Sequence, residues 1–152
     1  MSNSHHGIQV SALLLTLRHA LRPPIPINII NLDQGIERWR KISDNLEASG
    51  VDSSWIHRYS AIYGKNLTKD ELMSNTTALS RFLCSPGMIG CFLSHSDLWD
   101  KIATEEHPFQ VVLEDDAVVC NNFCTRVYEL VDELETNEEM SGRWGALLLG
   151  AF

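Results

Sequence analysis

The chain has no apolar run long enough to cross a bilayer as a helix. Its candidate, Val10–Leu17, is short and is followed by Arg18, His19 and Arg22. No clear small-residue cleavage site accompanies that run, so it does not read as a signal peptide. A basic stripe is also missing: 12 lysines and arginines face 20 aspartates and glutamates, for a formal net charge of -8. That balance excludes a nucleic-acid binder, and an anionic ligand would have to be held locally by a metal ion or a helix N-terminus. Cys84, Cys91, Cys120 and Cys124 contain no C-x-x-C pair and the 6 histidines are scattered, which argues against a structural zinc site and for buried or half-buried thiols. Cys91 falls in an apolar helical stretch and is expected in the core. Cys120 and Cys124 could pair only across a sharp turn.

At 152 residues the chain suits one folding unit with a real core. Residues 1–26 read as an N-terminal tail punctuated by Pro23, Pro24 and Pro26. Ile27–Leu32 then forms a buried, β-branched strand, and Ile36–Ser49 has helical spacing at Ile36, Trp39, Ile42 and Leu46 before Gly50. Trp55–Tyr63 alternates as a second strand. Thr68 with Glu71 three residues on is a capping-box signature for a short helix. Met88–Thr104 suits a largely buried helix, entered through Ser85, Pro86 and Gly87, with Ile89, Phe92, Leu93, Leu98 and Ile102 as its apolar residues and with Trp39 and Trp99 expected in the core. Gln110–Leu113 is a third strand, Asn122–Glu135 a helix, and Trp144–Leu149 a last strand candidate. Strand and helix alternate, so the chain is α/β with a mainly parallel sheet, whose ligands gather at the carboxyl ends of strands.

The richest segment is Phe109–Val119, FQVVLEDDAVV, where an apolar strand runs into Glu114, Asp115 and Asp116. Side chains alternate across a strand, so Glu114 and Asp116 are expected to face one side and Asp115 the other, with two ligands aimed at one spot. Two ionised carboxylates about 4–5 Å apart repel by roughly 3–4 kcal/mol at an effective dielectric of about 20, and a divalent cation between them reverses the sign. Oxygen ligands alone suit Mg²⁺ or Mn²⁺. A solvated acidic turn is the structural alternative. Asp33 closes the first strand on the same rim, either as an ordinary turn acid or, with Asn31, as a nucleoside contact. Arg38, one turn into the next helix, could reach a diphosphate or pair on the surface.

Three segments taken in order resemble glycosyltransferase family 25, the group of lipopolysaccharide glycosyltransferases and collagen galactosyltransferase domains: INIINLDQGIERWRK (Ile27–Lys41), GMIGCFLSHSDLWDKI (Gly87–Ile102) and VVLEDDAVV (Val111–Val119). The resemblance covers residues 27–152 as a donor-binding domain. It implies a Rossmann-like GT-A nucleotide-sugar-binding sandwich that is incomplete, because the family continues past the last segment seen here and this chain would be truncated at its C-terminus. It further implies inverting, metal-dependent transfer of a sugar, galactose in the first instance, from a UDP-sugar donor to a hydroxyl on a glycan or a hydroxylated protein.

By the same resemblance, Glu114 and Asp116 stand in the acidic positions of a DxD-like element and hold Mn²⁺ or Mg²⁺. Asn31, Leu32, Asp33, Arg38, Ala61, Ser94, Glu114 and Asp115 contact the donor, and His95 is the candidate catalytic residue. Packing is the plain alternative for Ala61, and a satisfied core role for Ser94 and His95. The rival readings are a catalytically inactive nucleotide-sugar or metal-binding remnant, a fragment of a larger transferase, and an acidic phosphotransfer domain that would not need the INIINLD or GCFLSH segments. The resemblance leaves two compartments. One is the cytoplasm with peripheral membrane association, preferred because no retention signal ends the chain. The other is the endoplasmic reticulum lumen, where the sequons Asn66–Thr68 and Asn75–Thr77 would matter.

Overall fold

The computed structural model describes residues 22–149, so Val10–Leu17 and most of the expected tail lie outside the described residues. The described residues form two compact units, one of Ile25–Asn121 and one that combines residues 22–24 with residues 122–149.

The first unit is built on a parallel three-stranded sheet in the order β2-β1-β3, with β1 Ile27–Asn31, β2 Ile56–Ser60 and β3 Val111–Glu114. The central strand β1 is buried at every position, which explains its isoleucines: Ile27 and Ile29 are fully covered, and Ile30 nearly so. Each such isoleucine contributes about 1.5–3 kcal/mol of burial. The one polar side chain in mid-strand, Asn28, donates from Nδ2 to Gln110 Oε1 at 2.8 Å and so stays paired. Between the strands run α1 Ile36–Ala48, which buries Ile42 and Leu46, then α2 Lys69–Asn75, α3 Ala78–Leu83 and α4 Pro86–Ile102. The capping box expected at Thr68 and Glu71 starts α2, with both reciprocal hydrogen bonds made. Ser85 caps α4 by accepting from the Met88 amide, with Pro86 in the first turn.

The expected burial of α4 is corrected by the structure. Its covered residues are Ile89, Gly90, Ser94 and Leu98, whereas Met88, Phe92 and Trp99 are more than half exposed and Cys91 is exposed as well. Trp39 is only half-buried. The reason is close approach of backbones. A Cβ on Gly64 would lie 1.7 Å from the Pro86 carbonyl oxygen, and one on Gly90 would lie 2.5 Å from the Ile62 oxygen. Ser94 Oγ accepts from the Ile62 amide at 2.8 Å and donates to the Gly90 carbonyl at 2.7 Å. Small residues therefore occupy the closest approach of α4, with Ile89 and Leu98 buried beside them, while Met88, Phe92 and Trp99 turn outward.

In the second unit, α5 Phe123–Thr136 starts after Asn122, whose left-handed backbone (φ 59°) asparagine tolerates better than most residues. Arg22 lies over the Tyr128 ring at 4.6 Å and pairs with Asp132, while the Tyr128 hydroxyl donates to the Pro23 carbonyl. Trp144–Leu149, expected as a strand, is not one: it has no partner strand among the described residues, and Leu147, Leu148 and Leu149 are exposed.

Two outcomes test this packing. Gly64→Ala should lower stability by about 1–3 kcal/mol or more, read as a fall in the urea midpoint. Gly145→Ala, where an added methyl meets nothing within 4 Å, should stay within about 0.5 kcal/mol of wild type. An unchanged midpoint in Gly64→Ala would refute the backbone contact. Tyr59 gives a pH signature: burial first, then its hydrogen bond to Asp97 and that carboxylate's charge, push its phenol from 10.0 to about 12. A raised acid favours the protonated form in the fold, so this stabilisation is complete below pH 10 and is lost as pH rises to about 12. The stability gap between wild type and Tyr59→Phe should therefore be flat at neutral pH and shrink across that alkaline window.

Candidate functional site

Parallel pairing puts the carboxyl ends of all three strands on one rim, with Asn31 level with Ser60, and Ile30 level with Glu114. In the order β2-β1-β3 the chain reverses its direction of travel across the sheet between β1 and β3. Open α/β sheets bind ligands in the crevice at such a reversal.

The rim is organised by the Asn31 side chain, which is 1% exposed. Its Nδ2 donates to Asp115 Oδ2 at 2.6 Å and to the Gly35 carbonyl at 3.0 Å, and its Oδ1 accepts from Arg58 Nε at 2.8 Å. Arg58 also donates to the Leu32 and Asp33 carbonyls at 3.1 and 3.0 Å, which pins the loop after β1. Ser60 Oγ donates to Asp33 Oδ1 at 2.7 Å. Gly35 is required by proximity: a Cβ there would sit 2.7 Å from Asn31 Nδ2 and 3.0 Å from the Leu32 oxygen. Arg38 Nη1 donates to Asp115 Oδ1 at 2.9 Å, and this bond, then the Asp115 charge, raises the guanidinium pKa further.

The acid triplet departs from the alternation expected of it. β3 ends at Glu114, and the Ala117 amide donates back to the Glu114 carbonyl at 3.1 Å, so Asp115 and Asp116 belong to a turn to which the period of two does not apply. Asp115 folds inward, with its side chain 11% exposed against Arg38 and Asn31. Glu114 is directed to α4, where Oε1 lies 3.3 Å from His95 Nε2 and accepts from the Cys91 thiol at 3.7 Å. Asp116 is exposed. Burial first, then the charge and hydrogen bond of Glu114 and the charge of Asp116, raise the Cys91 thiol pKa. After the Asp115 bond and charge, the Asp116 charge also raises the Arg38 guanidinium pKa, on α1.

The sequence-selected residues thus fall into three groups. Asn31, Arg38 and Asp115 form one bonded cluster. Leu32, Asp33 and Ala61 line an adjoining cleft of about 310 Å³, together with Ile62, Tyr63 and Glu71. Glu114 meets His95, whose ring is tilted against Trp99 at 5.6 Å. Ser94 is separate from these, as the buried bolt between α4 and Ile62. Sequence reasoning missed Arg58, Gly35 and the accessible position of Cys91. An arginine in mid-strand and a glycine four residues after Asn31 were the available signals.

Residues 25–145 match the family model for glycosyltransferase family 25 (LPS biosynthesis protein). The chain belongs to glycosyltransferase family 25. It is 29% identical over 132 residues to a glycosyltransferase 25 family member of Aedes aegypti, covering 82% of this chain and 21% of that protein. It is 33% identical over 109 residues to the human inactive glycosyltransferase 25 family member 3, covering 69% of this chain and 18% of the human one. An Anopheles gambiae family member is 26% identical over 132 residues, covering 82% of this chain and 21% of that one. The chain spans about a fifth of the length of these relatives. No solved structure matches it. The segment matching family 25 contains the whole rim, from β1 through the turn after β3. Since one relative is named inactive, kinship alone does not carry turnover.

Asn31→Leu keeps the size and removes both amide groups, leaving Asp115, Arg58 and the Gly35 carbonyl without their shared partner. It should destabilise the chain by about 1–3 kcal/mol in urea unfolding, while Asp116→Ala stays within about 0.5 kcal/mol. Equal midpoints for the two variants would remove Asn31 from the centre of the rim.

Proposed function

We propose that this chain supplies the donor side of a glycosyltransferase that moves a sugar, galactose in the first instance, from a UDP-sugar to a hydroxyl of a glycan or a hydroxylated protein, with inversion. The observation that carries this reading is the strand-order reversal: the Asn31–Asp115–Arg38 cluster sits at the β1/β3 crevice, and the Leu32–Asp33–Ala61 cleft opens beside it. The cleft lies at the small end of ligand-pocket volumes, enough for a nucleoside. In this reading Asp33, held by Ser60, and Ala61 take the nucleoside. Arg38, with 65% of its side chain exposed while one nitrogen is fixed by Asp115, turns its other donors to the diphosphate.

Exposed carboxylates at Glu114 and Asp116, two residues apart where β3 ends, are a donor set that suits Mn²⁺ or Mg²⁺, with Asp116 the direct ligand and water or phosphate completing the shell. Such an ion, when bound, supplies charge neutralisation to the departing diphosphate. For inversion, the acceptor oxygen bonds to the anomeric carbon from the face opposite the breaking sugar–phosphate bond, and the hydroxyl proton passes to a base. His95, held against Glu114 and Trp99, is the proposed base. Membrane association would be peripheral: no described helix is long and apolar enough to cross a membrane.

The second reading, a binding protein without turnover, is favoured by the similarity to a human relative named inactive. Calorimetric titration with UDP should show binding that requires Mn²⁺ and weakens at least about tenfold in Asp116→Ala, one lost charge-assisted contact of about 1.4 kcal/mol or more. Metal-independent binding, or none, overturns the donor-site reading. UDP release from UDP-galactose in the presence of hydroxyl acceptors then separates a transferase from an inactive binder.

A further inference from the structure

We infer that Cys91, His95 and Glu114 form a binding site for a divalent transition-metal ion of zinc type, with a fourth coordination position open to water. Cys91 and His95 are one helical turn apart on α4 and share a face, while Glu114 arrives from the end of β3, so two independent elements converge on one point. Their ligand atoms all lie within 4.8 Å of one another. Ordinary zinc bond lengths arranged as a tetrahedron place nitrogen and oxygen about 3.4 Å apart and sulfur and oxygen about 3.6 Å apart. The observed separations are 3.3 Å for His95 Nε2 to Glu114 Oε1 and 3.7 Å for Cys91 Sγ to the same oxygen. Both Glu114 separations thus match a zinc tetrahedron, and the Cys91–His95 pair, within 4.8 Å, would close to about 3.6 Å by side-chain rotation when an ion binds.

A direct ion pair explains these distances less well. Tight imidazolium–carboxylate bonds close to about 2.7–2.9 Å, and the 3.3 Å seen here is longer than that. The ligand set also selects the ion. One thiolate, one imidazole and one carboxylate suit zinc or cobalt, whereas Mg²⁺ and Ca²⁺ prefer oxygen throughout. Access is available, because Cys91 is exposed and the side chains of His95 and Glu114 are 23% and 54% exposed. Rigidity is available too: Ser94, between the two helical ligands, bolts α4 to Ile62 and fixes its rotation relative to the sheet. Cysteine spacing alone argued against zinc because the third ligand is remote in sequence.

The site does not depend on sugar transfer. An ion there would occupy His95 and Glu114 and withdraw both from the acid–base and donor roles proposed above, so binding and turnover are read separately. Cobalt is the probe, added to the metal-stripped 152-residue chain without nucleotide or manganese. One equivalent should bind with the intense visible bands of four-coordinate cobalt and a near-ultraviolet thiolate-to-cobalt charge-transfer band, and zinc should displace it. Cys91→Ser should abolish the charge-transfer band. His95→Ala and Glu114→Gln should each weaken binding about tenfold or more. Asp116→Ala and Cys124→Ser should leave the spectrum unchanged, and circular dichroism of every variant should match wild type. No binding, a spectrum without a thiolate band, persistence of that band in Cys91→Ser, or its loss in Asp116→Ala would each overturn the site. Asp116→Ala is also the variant that should weaken UDP binding, so the two proposals fail independently.

Discussion

Everything at the ligand-facing rim depends on one buried amide. Asn31 ends the central strand, and its side chain offers both a donor and an acceptor to neighbours on either side. Arg58 reaches it from β2, Asp115 from the turn after β3, and the Gly35 carbonyl from the loop that opens α1. A carboxylate in its place would repel Asp115, and an apolar residue would strand three partners. Asparagine is the side chain that meets both charges, and this explains a polar residue with 1% exposure at the end of a buried strand.

The second constraint is the approach of α4 to the loop after β2. Gly64 and Gly90 allow backbones to touch where any side chain would collide, and Ser94 fastens the contact by accepting from the Ile62 amide. The rotation this imposes has two results. It presents Cys91 and His95 to the end of β3, and it turns Met88, Phe92 and Trp99 outward. Hydrophobic content along a helix does not reveal its inward face when small residues control the closest distance.

Chemistry on the rim is thereby divided. On one side lies a cleft shaped by Leu32, Asp33 and Ala61. On the other, carboxylate, imidazole and thiol groups gather around Glu114, while Arg38 is tied to Asp115. The residues that match family 25 contain both groups.

By itself the sequence determined the local elements and the rim. The β-branched run Ile27–Asn31, the capping signal at Thr68 and the entrance at Ser85–Pro86 depend on neighbours a few residues away, so they were readable directly. The acid triplet and Asp33 could be placed at strand ends for the same reason, and the three ordered segments revealed the family. Only the tertiary structure decided which way those groups point. Asp115 turns inward because Asn31 and Arg38, both more than 70 residues away in the chain, are there to receive it. Glu114 turns to α4 because Gly64 and Gly90 set that helix's rotation, and Trp144–Leu149 is no strand because strand formation needs a neighbour that pairing, not composition, must supply.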